Sequence, residues 1–494
     1  MFVSDICIIG AGPAGSTLAA RMAAFGHRVC LIERATFPRA HLGESLSPGV
    51  LPLLEVTGVC AAVKAAGFFR VSEVRVQWTQ GPHWRRDPRQ QGLLVDRGRF
   101  DALLLDRAKA LGAHVLQPAI VREWRWDGDE WHLCIQTAAG MVESRTKFLA
   151  DASGRAAVLP ARRRRTGCRT LALYAYWRGG PIPVEPRIEA RSDAWYWGVP
   201  LPDGRYNTQV FVDVEHFRSA PRVSVSDRFH ELIAGSRLME GCQDAHAGPV
   251  LTADATPYVD ETCVTSCSIK VGDAALAIDP LSSSGVQKAI QNALAGAVVV
   301  NTLLRKPEAS AAALRFFHES VNMASDSHCR WAAGHYLEVA QRGGGSFWQN
   351  RAATAITPRT SPMSFDEGLR PHAILNVSPQ LEFVDLPCID GQFVTMKTAL
   401  SHPGLDGPVA FLGGWEMAPL LKHLRNGLTL VQVARSWSAR IPLESSVALV
   451  SWLIRRGILG QEVFATPDDG KFNERYSGDA FDFDKKLSAL RTRQ

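Results

Sequence analysis

The chain has 494 residues, of which 46% are hydrophobic and 21% are charged, and its formal net charge is +6. The length corresponds to about three domains, and the composition excludes disordered and fibrous classes. The mild positive charge does not by itself indicate a nucleic-acid partner. No apolar run approaches about 18 residues, and the first residues are typical of a strand, so we expect neither a membrane span nor a signal peptide.

The first motif is a short apolar strand, Ile6–Ile9, which runs directly into the glycine pattern Gly10-x-Gly12-x-x-Gly15. An amphipathic helix follows, and a second strand ends at Glu33. The glycines allow a tight turn, a close approach to a pyrophosphate, and close packing of the helix on the strand. A carboxylate at this distance can accept the ribose hydroxyls. The stretch predicts dinucleotide binding, with NAD and FAD both open.

Further along the chain, the residues around Gly43-Glu44-Ser45 predict a loop, followed by a helical stretch over 50–66 and a strand over 71–78. From Cys168 to Val264 apolar and polar residues alternate, which indicates antiparallel sheet. Residues 268–278 return to the buried-strand pattern, and a long helix is predicted from about Gly285.

The C-terminal region contains its own linker and helix-boundary signals. The glycine-rich stretch 341–346 predicts a linker, and short strands and three helices are expected after about Pro379. Thr429 and Gln432 form a predicted capping box at the start of the middle helix. Strands followed by three helices are typical of a winged helix. The middle helix carries only Arg435 as a basic residue, so we expect no nucleic-acid partner.

The ten cysteines are scattered, and the histidines, His41 among them, show no metal-ligand spacing. We therefore expect no metal site, reduced thiols and a cytoplasmic location. The run Arg162–Arg165 is typical of a solvated loop, with a docking patch for an acidic partner as the alternative.

Four separated segments together resemble the FAD-dependent aromatic hydroxylases and the flavin-dependent halogenases of the same fold. They are 10–15 with Glu33, 43–45, 95–101 and 272–285. The resemblance covers about the first 340 residues and implies FAD rather than NAD. It implies the following cofactor-binding residues: Gly10, Gly12, Pro13, Ala14, Gly15, Glu33, Arg34, Gly43, Glu44, Ser45, Arg97, Val121, Gly272, Asp273, Pro280, Ser284, Gly285 and Val286.

The implied fold class is α/β plus α+β. A Rossmann-like FAD-binding domain over 1–167 and 265–340 carries an inserted antiparallel-sheet substrate domain over 168–264. A linker over 341–378 leads to a winged-helix-like module over 379–494. That module also resembles peptide-recognition domains of peptide-modifying enzymes, with a structural or dimerising role as the alternative.

The segment Trp195-x-Trp197-x-x-Pro200 is similar to the tryptophan motif of flavin-dependent halogenases. Two tryptophans on one strand face also suit a plain core. The pocket candidates are Trp195, Trp197, Pro200, Ser282 and Ser283. No catalytic residue is assigned beyond these, because the flavin itself carries the chemistry.

Two departures from the halogenases argue against halogenation. Their lysine position aligns with Val71, and the site of a glutamate in the free-tryptophan enzymes is Ser282. The neighbouring Arg70 stays protonated and cannot take the lysine's place. Oxygen insertion through a C4a-hydroperoxyflavin is the remaining reaction that the family implies.

The combination is similar to the flavoprotein monooxygenases that mature quinohemoprotein amine dehydrogenase. It implies hydroxylation of a peptidyl tryptophan, with one or two oxygens, during tryptophylquinone biogenesis. The expected partners are O2, NAD(P)H or a flavin reductase, and the small subunit of an amine dehydrogenase, alone or with its cross-linking enzyme. Alternatives are the flavoproteins of lysine- and glycine-oxidase quinone cofactors, a halogenase, a small-molecule aromatic hydroxylase, a prenyl reductase and a non-catalytic flavoprotein binding module.

Overall fold

The computed structural model describes residues 2–86, 91–219, 223–354 and 373–462. The chain divides into two compact units, residues 1–357 and 358–494. Each unit is described by itself below.

The first unit contains a seven-stranded sheet, here called the nucleotide sheet. Its first strand in the chain is Phe2–Ile9, which begins four residues before the predicted strand Ile6–Ile9. Its central strands are parallel and buried on both faces, as their continuous apolar runs require. In spatial order its strands are His114–Leu116, Val29–Ile32, Phe2–Ile9, Gly140–Asp151, Trp131–Thr137 and Ala119–Trp126, with Ser268–Lys270 beside Gly140–Asp151.

The helix Pro13–Ala24 packs on this sheet through its small residues. Gly10 has a φ of 100°, in the left-handed region that favours glycine, and makes the turn into the helix. A Cβ atom on Gly15 would lie 1.8 Å from the carbonyl oxygen of Gly10. The predicted roles of these two glycines, in the turn and in helix packing, are therefore visible in the structure.

A second, eight-stranded sheet, here called the substrate sheet, contains the antiparallel region predicted after Cys168. In spatial order its strands are His246–Ala247, Thr170–Arg178, Tyr206–Asp213, Ala194–Pro200, Arg187–Ala190, Glu73–Gln77 and His83–Arg86, with Leu251–Asp254 also on Thr170–Arg178.

Two of these strands come from the region that the sequence placed in the FAD-binding domain. The predicted strand over 71–78 is divided into Phe69–Val71 and Glu73–Gln77. Glu73–Gln77 pairs in parallel with Arg187–Ala190, more than a hundred residues away, and His83–Arg86 follows it as an antiparallel neighbour. Such a long-range pairing leaves no local pattern, which is why the sequence did not predict it.

Smaller sheets complete the first unit. They are Ser45–Leu46, Gly92–Leu94 and Phe69–Val71, and Arg163–Arg165, Tyr258–Asp260 and Leu276–Ala277. Its other helices are Val50–Val56, Cys60–Ala65, Arg97–Ala110, Val214–Ser219, Val225–Ala234, Gly285–Arg305, Ser310–Ala340 and Ser346–Ala352.

Part of the predicted linker is a packed helix. Ser346–Ala352 buries Phe347 and Trp348, and the Trp348 ring lies edge-on to Trp78 with 5.3 Å between the ring centroids. Burial of these two large aromatic side chains stabilises a helix directly after the glycine-rich stretch, which by itself predicts a linker. Residues 355–372 of the linker lie outside the described residues.

The second unit forms its own apolar core. Its helices are Ala418–Leu421, Leu430–Trp437 and Leu443–Arg455, and its strands are Ile374–Val377, Glu382–Asp390, Phe393–Ser401, Phe411–Leu412, Trp415–Glu416, Leu428–Thr429 and Leu459–Glu462. The second and third helices occur where the apolar spacing predicts them, whereas the first is a single turn that ends before Leu424, the last residue of its predicted apolar spacing. The predicted capping box is present at Thr429 and Gln432, with N···O distances of 3.3 and 2.9 Å. Residues 463–494 of the predicted module lie outside the described residues.

Within the described ranges, no helix combines the length and the apolar character that crossing a bilayer would need.

Replacing Thr429 by Ala removes the side-chain acceptor of the capping box. We expect a loss of about 1 kcal/mol in the free energy of unfolding of the second unit. Chemical denaturation followed by tryptophan fluorescence measures this change. Arg435→Ala, an exposed position in the same helix, is the matched control and should change stability by less than about 0.5 kcal/mol. Equal losses in both variants would contradict the role of the cap.

Candidate functional site

A cavity of about 910 Å³ is lined by residues of both large sheets of the first unit. It opens where the strands Phe2–Ile9 and Val29–Ile32 end, which is the usual place for a ligand in an open α/β sheet. This volume and position suit a dinucleotide together with a further reactant.

The phosphate end of the cavity lies at the start of the helix Pro13–Ala24. Gly10, Gly12, Pro13 and Ala14 line it. A Cβ atom on Gly12 would meet only an Arg39 nitrogen, at 3.7 Å, so this glycine faces open space in the cavity. The N–H groups of the helix N-terminus and its partial positive charge favour a pyrophosphate here.

The buried Glu33 carboxylate lies in the cavity wall, where the sequence predicts the ribose. Its oxygens accept hydrogen bonds from the backbone N–H groups of Ala11 and Ala35, at 2.8 and 2.9 Å. The Ala119 N–H donates to the Glu33 carbonyl at 2.7 Å, which brings the strand that carries Val121 to the same wall. Val121 therefore lines the same cavity as Glu33, and its role at the adenine stays a prediction.

Arg97 secures the loop that contains Gly43. Its guanidinium forms two hydrogen bonds with the buried Asp101 carboxylate, at 3.0 and 3.1 Å, and donates to the Leu42 carbonyl at 2.9 Å. Arg97 lines the cavity, so it can also offer its charge to a bound cofactor. The hydrogen bonds of Arg97 hold the loop against the Arg97–Ala110 helix.

The Glu44 carboxylate is buried between that loop and the substrate sheet. It accepts the Tyr176 hydroxyl at 2.6 Å and the Asn207 side-chain N–H group at 3.1 Å. Burial, together with the Glu44 charge, raises the pKa of Tyr176, so its hydroxyl stays protonated and donates. The network connects the nucleotide-binding loop to two strands of the substrate sheet.

Two acidic residues hold the segment 272–283. Desolvation opposes the ionisation of Asp273, but the nearby Lys288 ammonium, at 2.7 Å, and Arg155 hold its pKa below the usual value. Burial raises the pKa of Asp279, whose carboxylate oxygens accept the Tyr336 hydroxyl at 3.0 and 2.9 Å. These contacts place the segment against the cavity.

Trp195 and Trp197 both line the cavity from one face of the substrate sheet. The Trp195 ring stacks on Phe211 with 3.8 Å between the centroids and is almost fully buried. Trp197 is partly exposed. The two interpretations of this pair, a plain core and a pocket wall, therefore both hold for Trp195, which packs in the core and also lines the cavity.

Most of the predicted site residues come together in this cavity. Those that line it are Gly10, Gly12, Pro13, Ala14, Glu33, Arg34, Gly43, Glu44, Ser45, Arg97, Val121, Trp195, Trp197, Gly272, Asp273, Pro280, Ser283, Gly285 and Val286. Those that do not line it are Gly15, Pro200, Ser282 and Ser284.

Gly15 does not line the cavity, because it lies at the close contact between the helix and the end of the first strand. The Ser282 and Ser284 side chains hydrogen-bond within their own turn: the Ser282 hydroxyl lies 3.4 Å from the Asp279 carbonyl, and the Ser284 hydroxyl lies 3.0 Å from the Ser282 carbonyl. The cofactor-binding role of each residue stays a prediction.

Several cavity residues were not predicted, and Arg39, His41 and Arg155 are the cationic or titratable basic side chains among them. Burial lowers the pKa of His41, and the positive charge of Arg97 acts in the same direction, so His41 is neutral at pH 7. Arg155 lies 3.9 Å from Asp273 and donates to the Thr256 carbonyl at 2.9 Å. Their only sequence signal is their position beside the Gly43 and Gly154 loops, which does not distinguish them from solvated residues.

Val71, the position aligned with the halogenase lysine, packs in an apolar cluster with Leu94, Val199 and Leu201. Trp197, a cavity residue, contacts the same cluster. Among the described residues, the cavity lining contains arginines and one histidine but no lysine.

One group of possible metal ligands exists in the described ranges, at Asp127, Glu130 and His132. None of the three lines the cavity. The Asp127 carboxylate already accepts the backbone N–H groups of Asp129 and Glu130, both at 2.9 Å, and the His132 ring at 2.6 Å. These bonds account for the cluster as a stabilised turn.

Residues 5–163 match the FAD dependent oxidoreductase family. The tryptophan 2-halogenase of Chondromyces crocatus is 31% identical over 370 residues, which are 70% of this chain and 70% of that protein. The flavin-dependent halogenase armH3 of Armillaria mellea is 27% identical over 376 residues, which are 68% of this chain and 75% of that protein.

Solved structures share the fold over almost the whole chain. CmlS, a flavin-dependent halogenase, has a TM-score of 0.74 at 21% identity and covers 93% of this chain and 96% of its own. The peptidyl tryptophan dihydroxylase QhpG, essential for tryptophylquinone cofactor biogenesis, has a TM-score of 0.71 at 27% identity. The match covers 92% of this chain and 99% of that chain.

Replacing Gly12 by Val should abolish FAD retention without unfolding the protein, because the new side chain would occupy the pyrophosphate position in open space. Flavin absorbance of the purified protein measures retention, and circular dichroism measures folding. Gly15→Val is the contrasting variant, because its side chain would collide with the Gly10 carbonyl and disturb the fold itself. A yellow, folded Gly12→Val protein would contradict this placement of the cofactor.

Replacing Tyr176 by Phe removes one donor to the buried Glu44 carboxylate. We expect a loss of about 1.5–3 kcal/mol in stability, since hydrogen bonds to charged groups are worth that much. Urea denaturation of the FAD-loaded protein measures it. Tyr174→Phe, two residues away on the same strand, is the control and should have a smaller effect. Indistinguishable losses would argue against the Glu44 network as a clamp.

The glycine turn, the helix N-terminus and the buried Glu33 fit FAD, and the identity to the halogenases extends over 70% of the chain. FAD is the cofactor, and the protein is a flavin-dependent enzyme. The chain belongs to the flavin-dependent halogenase-like family of FAD-dependent oxidoreductases.

Proposed function

We propose that this enzyme is a monooxygenase that hydroxylates a tryptophan residue of a partner polypeptide during tryptophylquinone cofactor biogenesis. The observation that carries the proposal is the cavity lining, which contains no lysine among the described residues. Val71, the position aligned with the halogenase lysine, packs in an apolar cluster beside the cavity residue Trp197. The likeness to QhpG over 92% of this chain supports the substrate class.

The bound flavin supplies the oxygen chemistry, using O2 and two electrons derived from NAD(P)H. One oxygen atom enters the indole ring, and the other leaves as water. The side chains of this chain bind, orient and exclude water. Trp195 and Trp197 provide an aromatic wall against which an indole can stack. The neutral His41 and the arginines around it make the cofactor end of the cavity polar.

The sequence relatives favour a competing function, because the tryptophan 2-halogenase is the relative at 31% identity. A halogenase must direct hypohalous acid from the flavin to the substrate through an amine. An arginine cannot replace that amine, because its guanidinium stays protonated at any working pH. The apolar contacts of Val71 are therefore the structural argument for hydroxylation.

The role of the second unit stays a prediction. Its middle helix, Leu430–Trp437, carries Arg435 as a single basic residue, which does not suit a DNA backbone. Recognition of the polypeptide partner is the role that we propose for it.

The decisive experiment supplies the FAD-loaded enzyme with NAD(P)H, a flavin reductase, O2 and excess bromide. The substrate is the cross-linked small subunit of an amine dehydrogenase, and free tryptophan is tested in parallel. We expect intact-mass analysis to show one or two added oxygen atoms on the polypeptide, with the label from 18O2, and no bromine. Gly12→Val, which lacks FAD, is the control.

Bromine in the product would establish a halogenase instead. Oxygen added to free tryptophan but not to the polypeptide would establish a small-molecule hydroxylase.

A further inference from the structure

Among the described residues, the substrate sheet ends on one side at the strand Leu251–Asp254. This strand pairs with Thr170–Arg178 on one side, and no described strand pairs with its other side. Three of its four residues, Leu251, Thr252 and Asp254, are exposed, and Leu251 is an apolar side chain with 43% exposure. Alternate backbone N–H and C=O groups of an edge strand are free to pair with another chain.

The opposite edge of the same sheet is protected. The strand His83–Arg86 carries Arg85 and Arg86, which is a usual way to prevent edge pairing. The edge strand Leu251–Asp254 carries a single charged residue, Asp254, at its C-terminal end. The strand is short, but its outer side has no pairing strand among the described residues, so its backbone is open to an added strand.

Two rows of directly paired residues run from this edge across the sheet. One row is Ala253, Ala172, Phe211 and Trp195, and the other is Leu251, Tyr174, Gln209 and Trp197. Directly paired residues on neighbouring strands project from the same face. Both rows therefore include the tryptophans that line the cavity, and they continue to Ala190 and Ile188 on the next strand.

The cavity also reaches the edge itself. Ala253, Asp254 and Ala255 belong to its lining, together with Trp195 and Trp197 three strands away. An added strand would lie about 4.8 Å outside Leu251–Asp254. Its residues opposite Leu251 and Ala253 would extend the two rows on the cavity side.

We propose that an extended segment of the tryptophan-bearing polypeptide adds to the sheet at Leu251–Asp254 and so delivers its side chain to the cavity. This inference rests on the proposed function and names the surface that holds the substrate. Backbone pairing gives affinity, and alternate side chains give the register. An extended backbone is the occupant that satisfies a row of free N–H and C=O groups, and an aromatic residue suits the small Ala253 and the aromatic rows behind it.

The test measures binding separately from chemistry. A fluorescently labelled, cross-linked small subunit of an amine dehydrogenase is titrated with FAD-loaded, full-length enzyme in the absence of reductant. Leu251→Lys should raise the Kd at least about tenfold, because a charge replaces the apolar contact in the row. The matched control is Trp84→Lys, at 46% exposure on the opposite edge of the same sheet, which should leave the Kd unchanged.

A second probe reads the backbone directly. Peptides that span the reactive tryptophan carry an N-methyl group at one position at a time. Binding should be lost at every second position, since only alternate N–H groups of an added strand point to the edge.

Uniform tolerance of N-methylation, an unchanged Kd for Leu251→Lys, or a loss confined to Trp84→Lys would overturn this docking surface. Hydroxylation of the polypeptide would then still support the proposed function. A polypeptide that neither binds nor gains oxygen would overturn both. A dimer of the enzyme that Leu251→Lys dissociates, measured by light scattering, would assign the edge to a second copy of this chain instead.

Discussion

The contact between the Pro13–Ala24 helix and the first strand is the constraint on which the site depends. Gly15 meets the Gly10 carbonyl so closely that no side chain fits between them. This contact places the helix N-terminus at the end of the strand, and Gly12 then faces the open cavity. The N–H groups and the partial positive charge for a pyrophosphate follow from that placement. The predicted ribose, adenine and flavin positions lie along the cavity that begins at this point.

A buried carboxylate connects this cofactor site to the substrate sheet. Glu44 comes from the loop that Arg97 secures, and its partners Tyr176 and Asn207 come from two strands of the sheet. A buried charge that lost these donors would be costly, so the loop and the sheet are held in one arrangement. The aromatic wall of Trp195 and Trp197 thereby keeps a defined position relative to the cofactor loop.

The proposed hydroxylation depends on a side chain that the cavity lining lacks among the described residues, the lysine of the halogenases. Halogenases and hydroxylases share the same cofactor fold, and the difference between them is a side chain that relays an electrophile. Under the proposed function, Val71 in an apolar cluster offers no such relay, and a cavity whose lining reaches Ala253 and Asp254 at the edge of the substrate sheet suits a substrate larger than an amino acid. Both features are consistent with oxygen insertion into an indole held by a polypeptide.

The sequence by itself determined the glycine turn, the buried strands, the Gly285–Arg305 helix and the Thr429 capping box, because each depends on residues that are close together in the chain. Only the tertiary structure decided which distant strands pair. It placed Glu73–Gln77 in the substrate sheet, packed Ser346–Ala352 as a helix, and brought His41 and Arg155 to the cavity. Strand pairing and burial between residues far apart in the chain are set by the three-dimensional packing of the whole unit. A local sequence pattern does not predict this packing.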